Sequence, residues 1–234
     1  MIDVAISFRP VNDENVTLRQ IPVPIQLALY QYDIYIQNRN MILKEIKENF
    51  NKIKVVHLPI DTLKVPFEKV YDMVRDIFIQ CGCKNFVIHP NKNIENFLQD
   101  FRTIPLVSLC VETFAWKKKK VYRTPLEIIE ACLRYKNVWM TIDTCHIEEL
   151  WFDPKILSYL LKYTKVIHLS NRAKGFGSHI PFNHPKGELN LVSFVKQLKR
   201  RYNWEGTIVL EYMSEYSHKL LKNHDYVKRL VNET

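Results

Sequence analysis

Six consecutive apolar runs in this chain end on an imidazole or a carboxylate. They cover residues 53–57, 85–89, 106–112, 138–143, 165–168 and 207–211, and they close on His57, His89, Glu112, Asp143, His168 and Glu211. Each run is short, and most are rich in β-branched residues, the signature of a strand buried on both faces. Residues 4–8 and 33–36 supply two earlier strand-like runs. Helical spacing follows most of them. Phe67, Val70, Tyr71, Val74, Ile77 and Phe78 form one apolar face, and Leu191, Phe194, Val195 and Leu198 another. Residues 41–50, 94–101 and a closing stretch through 226–231 are further helices. Thr124-Pro125-Leu126-Glu127 is a capping box with proline at the first helical position, and Asp153-Pro154 opens the next helix. A stretch interrupted by Pro22 and Pro24 receives no assignment.

Eight strands alternating with helices predict one parallel (β/α)8 barrel over residues 1–234, a usual length for that fold. Active sites of such barrels lie where strands end. The six strand-ending residues, with His146 three past Asp143, would therefore share one mouth. A single histidine or glutamate in such a place is usually a hydrogen-bonded loop residue. Seven together would be costly without cations, and these are the ligand types of zinc, manganese and iron.

Other features bound the function. No apolar run approaches the roughly 20 residues that a membrane span needs. The N-terminus reads as a strand and lacks the pattern of a secretory signal, which places the chain in the cytoplasm. Five cysteines without a CxxC pair are expected to be reduced. The formal net charge of +9 suits a phosphate or nucleic-acid partner as well as an ordinary lysine-rich surface. Lys117 and Lys118, within the basic run 117–120, and Arg172 and Lys174 follow strands on the catalytic face, where they could meet a phosphate. Lys196, Lys199, Arg200 and Arg201 belong to an outer helix, and His218 and His224 are not expected to be ligands.

The ordered set resembles the xylose isomerase-like barrels, and within them the endonuclease IV family of abasic-site endonucleases. Val56-His57-Leu58-Pro59 and Ile88-His89-Pro90 resemble its two histidine motifs, and Val111-Glu112-Thr113 its bridging glutamate. Asp143-Thr144-Cys145-His146 matches its Asp-Thr-Cys-His signature, the stretch from His168 to Lys174 resembles its next motif, and Leu210-Glu211 its last ligand. The resemblance implies a metal on His57, His89 and Glu112. It implies a second on Glu112, Asp143, His168 and Glu211, and a third on His146, with His184 supplying another imidazole. Phe182 stands where that third site has an aspartate, and His179 is a possible substitute. Two or three divalent ions are expected, with zinc ahead of manganese.

Two activities follow. In the first, water activated by the cations cleaves DNA at abasic sites. In the second, one cation serves a sugar or sugar-phosphate isomerase or epimerase, in which Glu112 and Glu211 exchange protons with carbon. The expected partner is DNA or a small phosphorylated sugar, with no membrane.

Overall fold

The strands close on themselves. The computed structural model describes residues 1–10, 17–101, 104, 106–113, 122, 124–175 and 177–233. Eight parallel strands form the barrel: β1 (Ile2–Phe8), β2 (Ile25–Ala28), β3 (Ile53–His57), β4 (Asn85–Ile88), β5 (Ser108–Glu112), β6 (Val138–Asp143), β7 (Thr164–Leu169) and, after a hairpin, β10 (Gly206–Leu210). They run in the closed order β1-β10-β7-β6-β5-β4-β3-β2. The hairpin pairs β8 (Asn171–Ala173) with β9 (Gly177–Ile180) above the barrel. Helices α1 (Tyr32–Glu48), α2 (Phe67–Cys81), α3 (Ile94–Phe101), α4 (Pro125–Arg134), α5 (Pro154–Leu161) and α6 (Leu191–Arg200) lie between strands, and α7 (Leu220–Asn232) follows β10. No described helix is long and apolar enough to cross a membrane.

Residues 33–36 are not the second strand. They lie in the first turns of α1, which buries Tyr32, Tyr35, Ile42 and Ile46 at helical spacing. The second strand is Ile25–Ala28, immediately after Pro24. The fifth strand begins at Ser108 rather than at 106. The caps agree with the sequence. Thr124 Oγ1 accepts from Glu127 N, while Glu127 Oε2 accepts from Thr124 N at 2.9 Å. Asp153 accepts from Lys155 N at 2.9 Å at the start of α5.

The barrel interior decides where the site lies. Ala5, Val55, Val87, Cys110, Val166 and Val209 form a separate small cluster, fully buried, with one residue from each of six strands. Side chains alternate along a strand, so the residue two further on points the same way. Val55 therefore aims His57 into the barrel mouth, Val87 aims His89, Cys110 aims Glu112, Val166 aims His168 and Val209 aims Glu211. The intervening residues, such as Val56, Phe86, Val111, Ile167 and Leu210, face the helices in the main core.

Gly206, at the start of β10, permits a close approach. A Cβ there would lie 2.4 Å from Trp204 Cζ2 and 2.5 Å from the backbone oxygen of Lys165. Trp204 is held by its indole N–H, which donates to Thr164 O at 2.9 Å. Gly206→Ala should therefore destabilise the fold by about 1–3 kcal/mol, the usual cost of overpacking. Urea unfolding of the metal-free protein measures this, and an unchanged midpoint would contradict it.

Candidate metal centre

Glu112 is the hub of the mouth. It is 2% exposed at the end of β5. His57 Nε2 lies 3.1 Å and His89 Nε2 2.9 Å from its Oε2, and His168 Nδ1 lies 3.2 Å from its Oε1. Glu211, just past β10, places Oε2 2.8 Å from the same His168 Nδ1. His57 Nδ1 sits 2.9 Å from Leu58 O, which can only accept, so Nδ1 carries a proton and Nε2 is the atom turned to the site.

Asp143 ends β6 with no exposure. Its Oδ1 accepts from Cys145 N at 3.0 Å, while its Oδ2 is buried without a hydrogen-bond partner. Two imidazole nitrogens face that oxygen at longer range: His146 Nε2 at 3.7 Å and His179 Nε2 at 4.0 Å. Those nitrogens are 3.1 Å apart. His179 sits on β9 with φ of 58°, a left-handed backbone that a histidine adopts at some cost.

Three groups of donors result, each with its ligand atoms within 4.8 Å of one another: Glu112, Asp143, His168 and Glu211; His57, His89 and Glu112; Asp143, Cys145, His146 and His179. The residues fit a divalent cation. Three carboxylates converge in a buried mouth, and one of their oxygens is unpaired there, which is unfavourable without a positive charge.

Electrostatics within the mouth respond to this crowding. Burial alone would lower the His168 pKa, but Glu211 and Glu112 outweigh it and hold the imidazole protonated well above its ordinary range. His57 is raised in the same way, with burial opposed by its hydrogen bond to Glu112. Burial opposes ionisation of Glu112, yet His89 and His168 keep it well below the usual carboxylate range. Glu211 is likewise lowered, with burial outweighed by His168. Asp143 goes the other way, raised by burial.

A prediction follows for metal uptake. Glu211 and Glu112 favour the protonated His168 ring, and a cation on Nδ1 must displace that proton. Zinc affinity should therefore climb as pH rises, and binding at about pH 7 should release about one proton or more per ion. Calorimetry in buffers of different ionisation enthalpy reads this directly. Affinity that does not change between about pH 6 and 8 would contradict it.

Several anticipated residues lie elsewhere. His184 is outside all three groups. It packs against Tyr216, with ring centroids 6.1 Å apart, and its Nδ1 accepts from Lys186 N. His179, named above only as a possible substitute, lies beside His146 because the β8–β9 hairpin turns β9 back over the mouth. Phe182 is buried against Tyr226. Arg172 braces the loop after β6, donating to Ile147 O at 2.6 Å and pairing with Glu188. Lys174 is exposed in the hairpin turn. Lys117 and Lys118 lie outside the described residues. Two residues escaped the sequence: Arg9, which stacks over Tyr30 at 5.5 Å on the rim, and Gln26, which touches His168.

A cleft of about 440 Å³ opens over the donors, lined also by Arg9, Leu29, Tyr30, Ile60, Ser178 and Met213. A sequence model of the family described as xylose isomerase-like TIM barrel matches residues 76–230. The chain belongs to the xylose isomerase-like TIM-barrel family. No curated protein matches the sequence. Among solved structures, a D-tagatose 3-epimerase-like protein is 15% identical with a TM-score of 0.70, covering 99% of this chain and 98% of that one. A 3-keto-D-glucoside 4-epimerase from E. coli is 11% identical with a TM-score of 0.64, covering 100% of both chains. The IOLI protein, solved with a zinc atom, is 12% identical with a TM-score of 0.62, covering 99% of this chain and 98% of that one. At these identities the likeness is one of fold. None of the three is named as a nuclease, so the closeness to endonuclease IV expected from the motifs gains no support from them.

Proposed function

We propose that this barrel is a divalent-metal-dependent isomerase or epimerase of a sugar or sugar phosphate. The observation that carries the proposal is the convergence of Glu112 and Glu211 on His168 Nδ1, at 3.2 and 2.8 Å, beside Asp143. A cation held by these four residues would polarise a sugar carbonyl and its neighbouring hydroxyl. The protein's part is proton transfer. Glu112 and Glu211, both held below the usual carboxylate range, are the candidates to take a proton from carbon, and the carboxyl that takes it would return the same proton to the neighbouring position. The cleft has the volume of a small-molecule site. Arg9 is the one lysine or arginine among its described lining residues, which suits an anionic group at the far end of the substrate. The epimerases among the fold neighbours agree with this assignment.

A second reading is phosphodiester hydrolysis. One observation favours it. His57 and His89 both reach Glu112 Oε2, and His146 and His179 both face Asp143, which gives more donors than one cation uses.

The two are separated by supplying the manganese- or zinc-loaded protein with a panel of ketoses and ketose phosphates and, in parallel, with an abasic-site DNA duplex at fixed salt. Conversion of a sugar without nicking is expected. Nicking without sugar conversion would transfer the assignment to the hydrolase.

A further inference from the structure

Gln26 lies at the middle of β2 with no solvent exposure, in register with Ser7 of β1. Its Oε1 is 2.9 Å from His168 Nε2, and its Nε2 is 3.4 Å from Ser7 Oγ. In the barrel order β2 and β7 are separated by β1 and β10, so this contact crosses the interior rather than linking neighbours. Gln26 is fully buried, where an unbonded amide would be costly. Gln26 is thus a buried polar residue with its two ends bonded to Ser7 and His168.

The direction of that bond follows from chemistry. An amide oxygen only accepts, so His168 Nε2 must carry the hydrogen. The amide's other end donates from its nitrogen to the Ser7 hydroxyl at 3.4 Å. With Nε2 protonated and tethered, the ring presents Nδ1 to Glu112 and Glu211, where the four donors converge. We infer that Gln26 is a positioning residue for the metal centre: through its bond to Nε2 it fixes the tautomer and the ring orientation in which His168 offers Nδ1 to a cation. The inference rests on His168 being a metal ligand. Residues that support ligands in this way typically change metal affinity by about 10–100-fold when removed.

The test pairs two variants with one spectrum. Gln26→Met keeps the length but removes the amide acceptor, and Gln26→Glu restores an acceptor oxygen. Zinc affinity is measured by competition with a chromophoric chelator, and the melting temperature of each metal-free variant reports the fold. Long-range proton–nitrogen NMR of the zinc-loaded wild type reads which nitrogen of His168 carries hydrogen. The expected results are hydrogen on Nε2, an affinity loss of about 10–100-fold in Gln26→Met, and near-wild-type affinity in Gln26→Glu. Hydrogen on Nδ1, or Gln26→Met binding zinc as tightly as wild type, would overturn the inference while leaving the metal centre standing. Wild type that binds no zinc would overturn both. If Gln26→Met does not fold, the wild-type spectrum and the Gln26→Glu affinity decide: Nε2–H with near-wild-type affinity supports the inference, and Nδ1–H or weakened binding overturns it.

Discussion

Glu112→Gln is expected, under the proposed isomerase or epimerase reaction, to lower turnover by about 10²–10⁴-fold, the range lost with a positioned acid–base group. Glutamine keeps the shape but can neither take a proton from carbon nor bind a cation with a charged oxygen. The change also reaches its neighbours, because Glu112 is where His57, His89 and His168 meet. Zinc should still bind through Asp143, His168 and Glu211, more weakly. His57→Ala is the control. It removes a contact to Oε2 but leaves Oε1 beside His168, so the isomerase retains turnover. Circular dichroism establishes that both variants fold. Glu112→Gln with wild-type turnover would contradict the assignment of Glu112. A collapse of zinc content in His57→Ala would instead favour the reading with more than one cation.

Asp143→Asn should move two quantities in opposite directions. Burial raises the Asp143 pKa, so the native state binds a proton more tightly than the unfolded chain does. Stability therefore falls as pH rises from the ordinary aspartate range through the raised value, because the buried carboxyl must then ionise. Asparagine has no charge to bury. Its oxygen can still accept from Cys145 N, and its amide can donate where Oδ2 now has no partner. The metal-free variant should gain on the order of 1–3 kcal/mol, the cost of a buried unsatisfied group. Its zinc affinity should drop by more than the roughly 10–100-fold lost when only a supporting residue is removed. Urea unfolding without metal, and zinc titration by chelator competition, read the two arms. A variant that is less stable without metal, or that binds zinc as tightly as wild type, would contradict this account of Asp143.

Much of the site was legible because barrel strands are buried on both faces. Such strands read as unbroken apolar runs, so a histidine or carboxylate that ends one stands out, as at His57, His89, Glu112, Asp143, His168 and Glu211. The second strand was illegible for the same reason reversed. Ile25-Gln26-Leu27-Ala28 is short, follows two prolines and carries a glutamine on its inner face. The run at 33–36 is short and apolar like a strand, but its tyrosine and two isoleucines belong to a 17-residue helix whose buried residues extend to Ile46. Gln26 itself could not be found from spacing, because its partner lies 142 residues away across the barrel. His179 and His184 could not be ranked because the β8–β9 hairpin, with Gly177 at φ of 86°, decides which of them turns over the mouth. The sequence carried the ligands of the family signature better than it carried the reaction. The additional histidines pointed to endonuclease IV, whereas the isomerase or epimerase proposed above rests on the paired glutamates and the cleft.

The central claim is that one divalent cation sits among Glu112, Asp143, His168 and Glu211. Anomalous diffraction at the zinc edge, from crystals of the metal-loaded protein, tests it without knowledge of the substrate. The strongest peak is expected between those four side chains, with His168 Nδ1 turned toward it. A peak confined to His146 and His179, or none at all with Glu112 and Glu211 still paired to His168, would contradict it.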